Sequence, residues 1–277
     1  MSKIGTCQLT GCVGKLVNAH IIPDALTKPD EGRFWIETGS DQRPLRRWTS
    51  WYDNELVTRE GEAILAKLDD EGIRVLRAHQ LVWSGFKSDP VTFGDWVPLG
   101  NSGQGTRIIE GIDGRALRLF LLSILWRAGA SRRPEFRQIR ISQGKLKLLG
   151  GVIKGDLPDR RSLSPIAIVQ ISSRGERHNF APRRETKILE RNDGRKKIPF
   201  FRFFFDGLVV HFHVKPSLRD VTQMGLMEVG RGNKLGVLTI PYELSAQMMR
   251  LEGFKDIAGG KWPKELSTLA VANWRKP

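Results

Sequence analysis

The sequence predicts an α+β fold, because two kinds of apolar periodicity follow each other along its 277 residues. Apolar residues recur at helical spacing over residues 64–81 and again over residues 113–125. Residues 200–205 and 208–214 read as strands around Asp206-Gly207, a pair that favours the positive φ angles of a tight hairpin turn. We therefore expect both packed helices and an antiparallel sheet.

The chain begins with a turn that carries two cysteines. Cys7 and Cys12 flank Thr10-Gly11, so they can direct two thiolates at one point, as a zinc knuckle requires. An apolar, β-branched stretch over residues 16–22 ends at Pro23, which predicts a strand. His20 lies near the end of that strand, where a side chain can face a cleft.

A loop, a short strand at residues 34–36 and a basic turn at residues 44–47 are predicted next. Thr58 is a suitable N-cap for the helix that follows, and Glu60 and Glu62 fall in its first turns. Negative charge there offsets the helix dipole, so Glu62 also has a purely structural interpretation.

The glycine-rich run at residues 100–105 predicts a linker, so we divide the chain into residues 1–99 and 100–277. Asp113 opens a helix that ends near Gly129, and we expect Arg127, Arg132 and Arg133 to form one basic edge there. The elements predicted beyond it are a strand at 136–141, a basic helix at 145–154, a strand at 166–171, a polar excursion at 174–197, the hairpin, a strand at 235–240 and a helix at 245–251.

The formal charge of +15 predicts a polyanionic partner, and we expect nucleic acid, with DNA favoured over RNA. No stretch joins an apolar face to a continuous basic one, which argues against a membrane partner. A protein partner or a homodimer is an alternative. Two cysteines and a start without an apolar signal core suit a reducing cytoplasm. The candidate nucleic-acid contacts are basic side chains that occur in pairs or runs: Arg46, Arg47, Arg132, Arg133, Arg183, Arg184, Arg195, Lys196 and Lys197.

His211 and His213 alternate on one side of a predicted strand, at a spacing that can chelate a metal. The alternative, which we favour, is that Val210, Phe212 and Val214 face the core while both histidines face solvent or phosphate. We also expect His178 at the surface.

The segments 7–23 and 51–62 together resemble a branch of the HNH endonucleases. The shared features are a cysteine pair, the strand sequence AHIIP at residues 19–23, and glutamates at Glu55 and Glu62 in WYDNELVTREGE. Trp51 and Asn54 stand where the family pattern has cysteines, and Ala19 stands where many members place a metal-binding aspartate. The resemblance covers about residues 7–85 and extends weakly into residues 117–136, which are similar to a segment of bacterial proteins associated with phage defence.

The resemblance implies a treble-clef (ββα-metal) module at residues 1–99, followed by a basic domain with an antiparallel sheet. It implies a metal-dependent endonuclease in which His20 takes a proton from water, Glu62 binds Mg²⁺ or Mn²⁺, and Asn54 or Glu55 orients the site or adds a ligand. Cys7 and Cys12 would then have a structural role, sharing a Zn²⁺ ion with other ligands.

Two other readings stay open. The chain can be a catalytically inactive HNH-like subunit that binds nucleic acid within a larger complex, because the missing cysteines and aspartate are what a decayed site would lack. Alternatively, Cys7, Cys12 and His20 are plain core residues of an unrelated basic protein.

Overall fold

A computed structural model gives the structure of residues 3–28, 35–38, 45–47, 49–176, 178–191 and 194–261, with side chains for 3–28, 49–176, 178–188 and 195–253. These residues form five α-helices and a mixed sheet, which confirms the α+β class. None of the described helices is long and apolar enough to cross a bilayer. The helices are α1 Arg59–Ala78, α2 Gly114–Ala130, α3 Gln143–Lys154, α4 Leu218–Gln223 and α5 Ala246–Lys261.

Four of the helices were predicted, and their ends follow from capping chemistry. The Asp113 carboxylate accepts a hydrogen bond from the Ala116 amide at 2.9 Å and so caps α2. Gly155, with φ of 81°, ends α3 in the left-handed conformation typical of a helix C-terminus. The unpredicted α4 is a single short helix that starts with a capping box between Ser217 and Asp220.

The strands range from two to twelve residues. They are β1 Ile4–Thr6, β2 Val13–Lys15, β3 Ala19–His20, β4 Trp35–Thr38, β5 Leu45–Arg47, β6 Tyr52–Asp53, β7 Trp96–Pro98, β8 Gly105–Glu110, β9 Ile166–Ile171, β10 Asn179–Phe180, β11 Arg183–Arg191, β12 Gly194–Phe205, β13 Leu208–His213 and β14 Lys234–Ile240. Seven of them form one sheet in the order β11-β12-β13-β9-β14-β8-β7, in which only β9 and β14 run parallel.

The hairpin at Asp206-Gly207 is confirmed, with φ angles of 47° and 77° at its two turn residues. Phe205 pairs with Leu208 across the turn, and the register continues to Phe200 opposite His213. The strands predicted at 166–171 and 235–240 are also confirmed, as β9 and β14. In the large sheet β9 pairs with β13, and β14 pairs with β8.

Three local predictions were wrong. Residues 136–141 contain no strand; a 3-10 turn at Pro134–Phe136 buries Phe136 and Ile139 three residues apart, which is the spacing of a turn. The basic turn at 44–47 includes a strand, β5, that pairs with β4. The polar excursion at 174–197 is largely β11 and the start of β12, because an edge strand such as β11 can carry charge on its open side.

The glycine-rich run at 100–105 is the turn between β7 and β8, closed by a hydrogen bond from the Leu99 amide to the Gln104 carbonyl at 2.8 Å. Cys7 and Leu65, from the predicted first module, share the larger apolar core with Phe120 and Val210 from the second. The division into residues 1–99 and 100–277 stays a prediction.

Two apolar cores lie on opposite faces of the large sheet. The larger joins α1, α2 and α3 to the face that carries Phe203 and Val210. The smaller joins Trp83, Phe204 and Tyr242 to the N-terminal part of α5. The helices α1 and α2 cross closely at Gly72, where an added methyl group would lie 2.1 Å from Cγ of Phe120.

We expect Gly72→Ala to lower the free energy of unfolding by about 1–3 kcal/mol, because the added methyl overpacks the α1–α2 crossing. The measurement is urea denaturation of the two variants and the parent. Gly144→Ala in α3 is the matched control, since nothing lies within 4 Å of its added methyl. That control should gain up to about 1 kcal/mol from helix propensity. Equal gains in both variants would contradict the close crossing.

Candidate functional site

The two cysteines lie in the predicted turn but in different environments. The Cys7 amide donates to the Cys12 carbonyl at 2.8 Å, and the Thr10 amide donates to Sγ of Cys7 at 3.4 Å. Cys7 is buried against the start of α1, whereas Cys12 is exposed. Burial alone would raise the pKa of the Cys7 thiol, but hydrogen bonds from Thr10, and from the backbone of Thr58 and Leu9, outweigh it and lower the pKa.

His20 ends β3, which is shorter than the predicted strand over 16–22. Its partner in the register is Tyr52 of β6, and the neighbouring pair is Ala19 with Asp53. The His20 side chain is 35% exposed, and its Nε2 lies 3.8 Å from the Asp24 carboxylate. The imidazole is therefore accessible from solvent and has an acidic neighbour.

Arg127 of α2 connects this strand end to α1. Its guanidinium donates to the His20 carbonyl at 3.0 Å and to the two Asp69 oxygens at 2.5 and 3.0 Å. The residue is 1% exposed, so the prediction that it shares a basic edge with Arg132 and Arg133 was wrong. A buried guanidinium needs carboxylate and carbonyl partners, and those partners lie in the N-terminal part of the chain.

Glu62 lies in the first turns of α1, as predicted, and its carboxylate is largely buried near Arg127 and Asp69. Burial raises the pKa of Glu62 above its usual range; Arg127 opposes this rise, and the like charge of Asp69 adds to it. Among the described residues, Oε2 of Glu62 has no hydrogen-bond partner. No hydrogen bond or ion pair joins the described side chains of His20 and Glu62. Arg127 is the residue that lies near both of them.

A polar cleft of about 440 Å³ opens beside this region. It brings together four of the predicted residues, Asn54, Glu55, Arg132 and Arg133. We call it the polar cleft and define it by its lining: Gln8, Tyr52, Asp53, Asn54, Glu55, Leu56, Ala130, Arg132 and Arg133.

Hydrogen bonds from the end of α2 hold one wall of the polar cleft. The Ser131 hydroxyl donates to Asp53 at 2.6 Å, and Arg133 donates to the Tyr52 carbonyl at 2.8 Å. The second Asp53 oxygen accepts from the Glu55 amide at 2.8 Å. Glu55 forms an ion pair with Lys3, whose hydrogen bond and charge lower the pKa of Glu55. The cleft is therefore built on β6 and supported by α2.

Metal ligands are incompletely assembled in this region. Among the described residues, no group of three or more His, Cys, Asp or Glu side chains comes together. Cys7 and Cys12 thus do not fit a tetrahedral zinc site with four protein ligands. Oε2 of Glu62 is buried and has no hydrogen-bond partner among the described residues, and such an orphaned carboxylate oxygen fits Mg²⁺, which commonly takes one or two carboxylates and completes its shell with phosphate and water.

The remaining predicted nucleic-acid contacts lie mainly on the β11–β12 hairpin. Arg183, Arg184, Arg195 and Lys197 are exposed there, whereas Lys196 is paired with Asp220 at 2.6 Å. Arg46 and Arg47 belong to β5, but their side chains lie outside the described residues.

Three histidines are more buried than predicted. His213 is 4% exposed and both of its ring nitrogens lack a hydrogen-bond partner among the described residues. His211 is half-buried against Phe200, because α5 covers this face of the sheet. His178 is 2% exposed and stacks on Phe204 at 5.1 Å. The prediction that His211 and His213 face solvent or phosphate does not describe this environment. The alternative, that the two histidines chelate a metal, does not describe it either.

Sequence reasoning missed Arg127, Asp69, Asp53 and Ser131 as parts of the site. One signal was present: Arg127 stands in an otherwise apolar helix, and a charged residue there is rarely buried unless it is paired. The partners of Arg127 could not be identified from the sequence, because Asp69 lies 58 positions away in the chain.

We expect Arg127→Met to lower the free energy of unfolding by about 3–5 kcal/mol, because it leaves the Asp69 carboxylate without its partner in a largely buried position. Arg132→Ala is the control, since this neighbour is exposed and its loss should change stability by less than about 0.5 kcal/mol. Denaturant titrations of both variants test the difference. Similar midpoints for the two would show that the ion pair contributes little.

Stability should fall as the pH drops below 6.5, because the half-buried His211 and the buried His213 resist protonation only in the folded state. Burial, then the charge of Arg202, lowers the pKa of His211 to about 3, and burial, then Lys187, lowers that of His213 to about 4. The unfolded chain binds more protons in this window, which costs the folded state up to about 1.4 kcal/mol per histidine and pH unit. Denaturation at pH 7, 6 and 5 should show a smaller loss for His211→Gln/His213→Gln than for the parent. An unchanged pH dependence would contradict the assignment.

The chain matches no protein-family model, no curated protein and no solved structure. A conclusion about function therefore depends on the geometry around His20, Glu62 and the polar cleft.

Proposed function

We propose that the chain is a metal-dependent endonuclease of the HNH type that hydrolyses phosphodiester bonds in nucleic acid, with DNA as the favoured substrate and anti-phage defence as a fitting role. The observation that carries the proposal is that one guanidinium, that of Arg127, links β3 to α1. It donates to the His20 carbonyl at the end of β3, and its charge acts on the Glu62 carboxylate at the start of α1. Tyr52 of β6, which pairs with His20, lines the polar cleft. This strand–strand–helix order supports a treble-clef centre.

His20 acts as the general base in this proposal. Its imidazole is accessible to water, and histidine is the side chain most often used to remove a proton in catalysis. The hydroxide formed attacks the phosphorus of the scissile phosphodiester. Asp24, 3.8 Å from Nε2, stabilises the imidazolium that results.

Glu62 supplies one carboxylate ligand for Mg²⁺ or Mn²⁺, with substrate oxygens and water completing the shell. When bound, such an ion stabilises negative charge on the phosphate and on the departing oxygen. Asn54 and Glu55 line the polar cleft at the position of an orienting or second ligand, and Arg132 supplies an exposed guanidinium for a phosphate.

A second candidate is a catalytically silent subunit that binds nucleic acid through the same cleft. It is favoured by the lack of a three-ligand cluster among the described residues, and by Asp69, whose carboxylate is already taken up by Arg127. The two candidates make the same binding prediction and opposite cleavage predictions.

Incubation of supercoiled plasmid with purified protein and Mg²⁺ or Mn²⁺ distinguishes them. We expect the parent to nick the plasmid and His20→Ala to be slower by about 10²–10⁴-fold, the contribution typical of a general base. Glu62→Gln should reduce the rate and raise the metal concentration needed. His79→Ala is the matched control, because His79 ends α1 away from the cleft lining.

Plasmid binding without nicking at any metal concentration would instead favour the silent subunit. Nicking that is equally fast in the parent and in His20→Ala would exclude His20 as the base and point to a contaminating nuclease.

A further inference from the structure

The polar cleft continues into a second concavity along α3. It shares Gln8 and Ala130 with a cavity of about 460 Å³, which in turn shares Lys154 and Asp156 with a further cavity of about 1110 Å³. We call the middle cavity the α3 groove; its boundary includes Gln8, Trp126, Gln143, Lys147, Gly150 and Lys154. Neighbouring cavities that share lining residues therefore extend from Asn54 and Glu55, in the polar cleft, along α3.

We infer that the α3 groove holds a single strand of nucleic acid as it leaves the polar cleft. This inference rests on the proposed function, since it names the substrate form and its path at the same site. Grooves that bind single strands combine positive charge along the backbone path with aromatic faces on which bases stack. Both features are present along these neighbouring cavities.

The positive charge comes from α3 itself. Lys147 and Lys154 are seven residues apart and line the same groove, so their helix positions are separated by about 10 Å and the two side chains can contact different phosphates of one strand. Lys147 is exposed and has no ion-pair partner among the described residues. Lys154 pairs with Asp156 at 2.6 Å, but that carboxylate is 58% exposed, so the pair is weak and can exchange for a phosphate.

The aromatic face is Tyr52, in the wall of the polar cleft. Its side chain is exposed at 40%, which is unusual for an aromatic ring in a concave site. The Arg133 guanidinium lies 6.0 Å from the ring centroid and is held there by hydrogen bonds to Glu135 and to the Tyr52 carbonyl. Stacking on Tyr52 requires an unpaired base, because a duplex hides the faces of its bases. This favours a single strand over a duplex.

We expect the basic hairpin β11–β12 to contribute less to nucleic-acid binding than the sequence suggested. On that hairpin Lys196 is committed to Asp220, and Arg202 is drawn inward to Gln247 at 2.6 Å. No described cavity joins the hairpin to the polar cleft.

Fluorescence anisotropy with a labelled single-stranded DNA of about 20 nucleotides, without divalent metal, tests the path. We expect Lys147→Ala/Lys154→Ala to bind about tenfold more weakly and to reduce the slope of log affinity against log salt by about 1.4, since two phosphate contacts are lost. Tyr52→Ala should weaken binding by about tenfold and Tyr52→Phe by less than about twofold, because phenylalanine keeps the stacking face. A duplex of the same sequence should bind more weakly than the single strand.

Two controls make the result specific. Lys87→Ala/Lys234→Ala removes two exposed lysines outside the polar cleft and the α3 groove and should bind as the parent does. Lys147→Arg/Lys154→Arg keeps the charge and should also bind as the parent does, which separates a charge effect from a folding defect.

The α3 groove is excluded as the path if the alanine pair binds like the parent, or if Arg183→Ala/Arg184→Ala loses affinity instead. A duplex that binds as tightly as the single strand, and independently of Tyr52, excludes the single-strand assignment. Binding that depends on Lys147 and Lys154 without any plasmid nicking supports the groove while removing the proposed cleavage. No binding by the parent removes both.

Discussion

The buried guanidinium of Arg127 sets the arrangement on which the candidate site depends. A fully desolvated positive charge is tolerated only where its donors find oxygen partners, and here they reach the His20 carbonyl, both Asp69 oxygens and Ser123 of its own helix. One side chain thereby ties the β3–β6 strand pair and α1 to α2. Since α2 packs on the large sheet, the orientation of His20 is determined by the second half of the chain.

The same requirement changes how the net charge is interpreted. Arg107, Arg118 and Arg127 are each less than 5% exposed and each donates to an aspartate. These cations hold elements together and are not available to a phosphate backbone. Arg107, for example, also donates to the carbonyls of His79 and Gln80 at the end of α1. Each of the three is neutralised by its aspartate, so the net charge of +15 is carried by the other charged residues.

Elements whose signals are local were predictable from the sequence. The Asp206-Gly207 turn, the caps of α2 and α3 and the turn between the cysteines depend on neighbours within a few positions. What could not be predicted depends on distant partners. The charged strand β11 is a strand because β12 offers its backbone, and His213 is buried although nothing around it in the sequence excludes exposure. For the site, His20, Asn54 and Glu55 carried a local pattern, whereas the positions of Asp69 and Arg127 required the tertiary packing.

The place of β14 in the large sheet has a consequence for synthesis of the chain. It lies between β9 and β8 and is the last strand to emerge among those that the structure describes, so none of the earlier described strands closes that gap. Until residue 240 has left the ribosome, β7–β8 and β9–β13–β12–β11 are two separate ribbons with open hydrogen-bonding edges. A nascent or prematurely terminated chain therefore exposes strand edges that can pair with other chains.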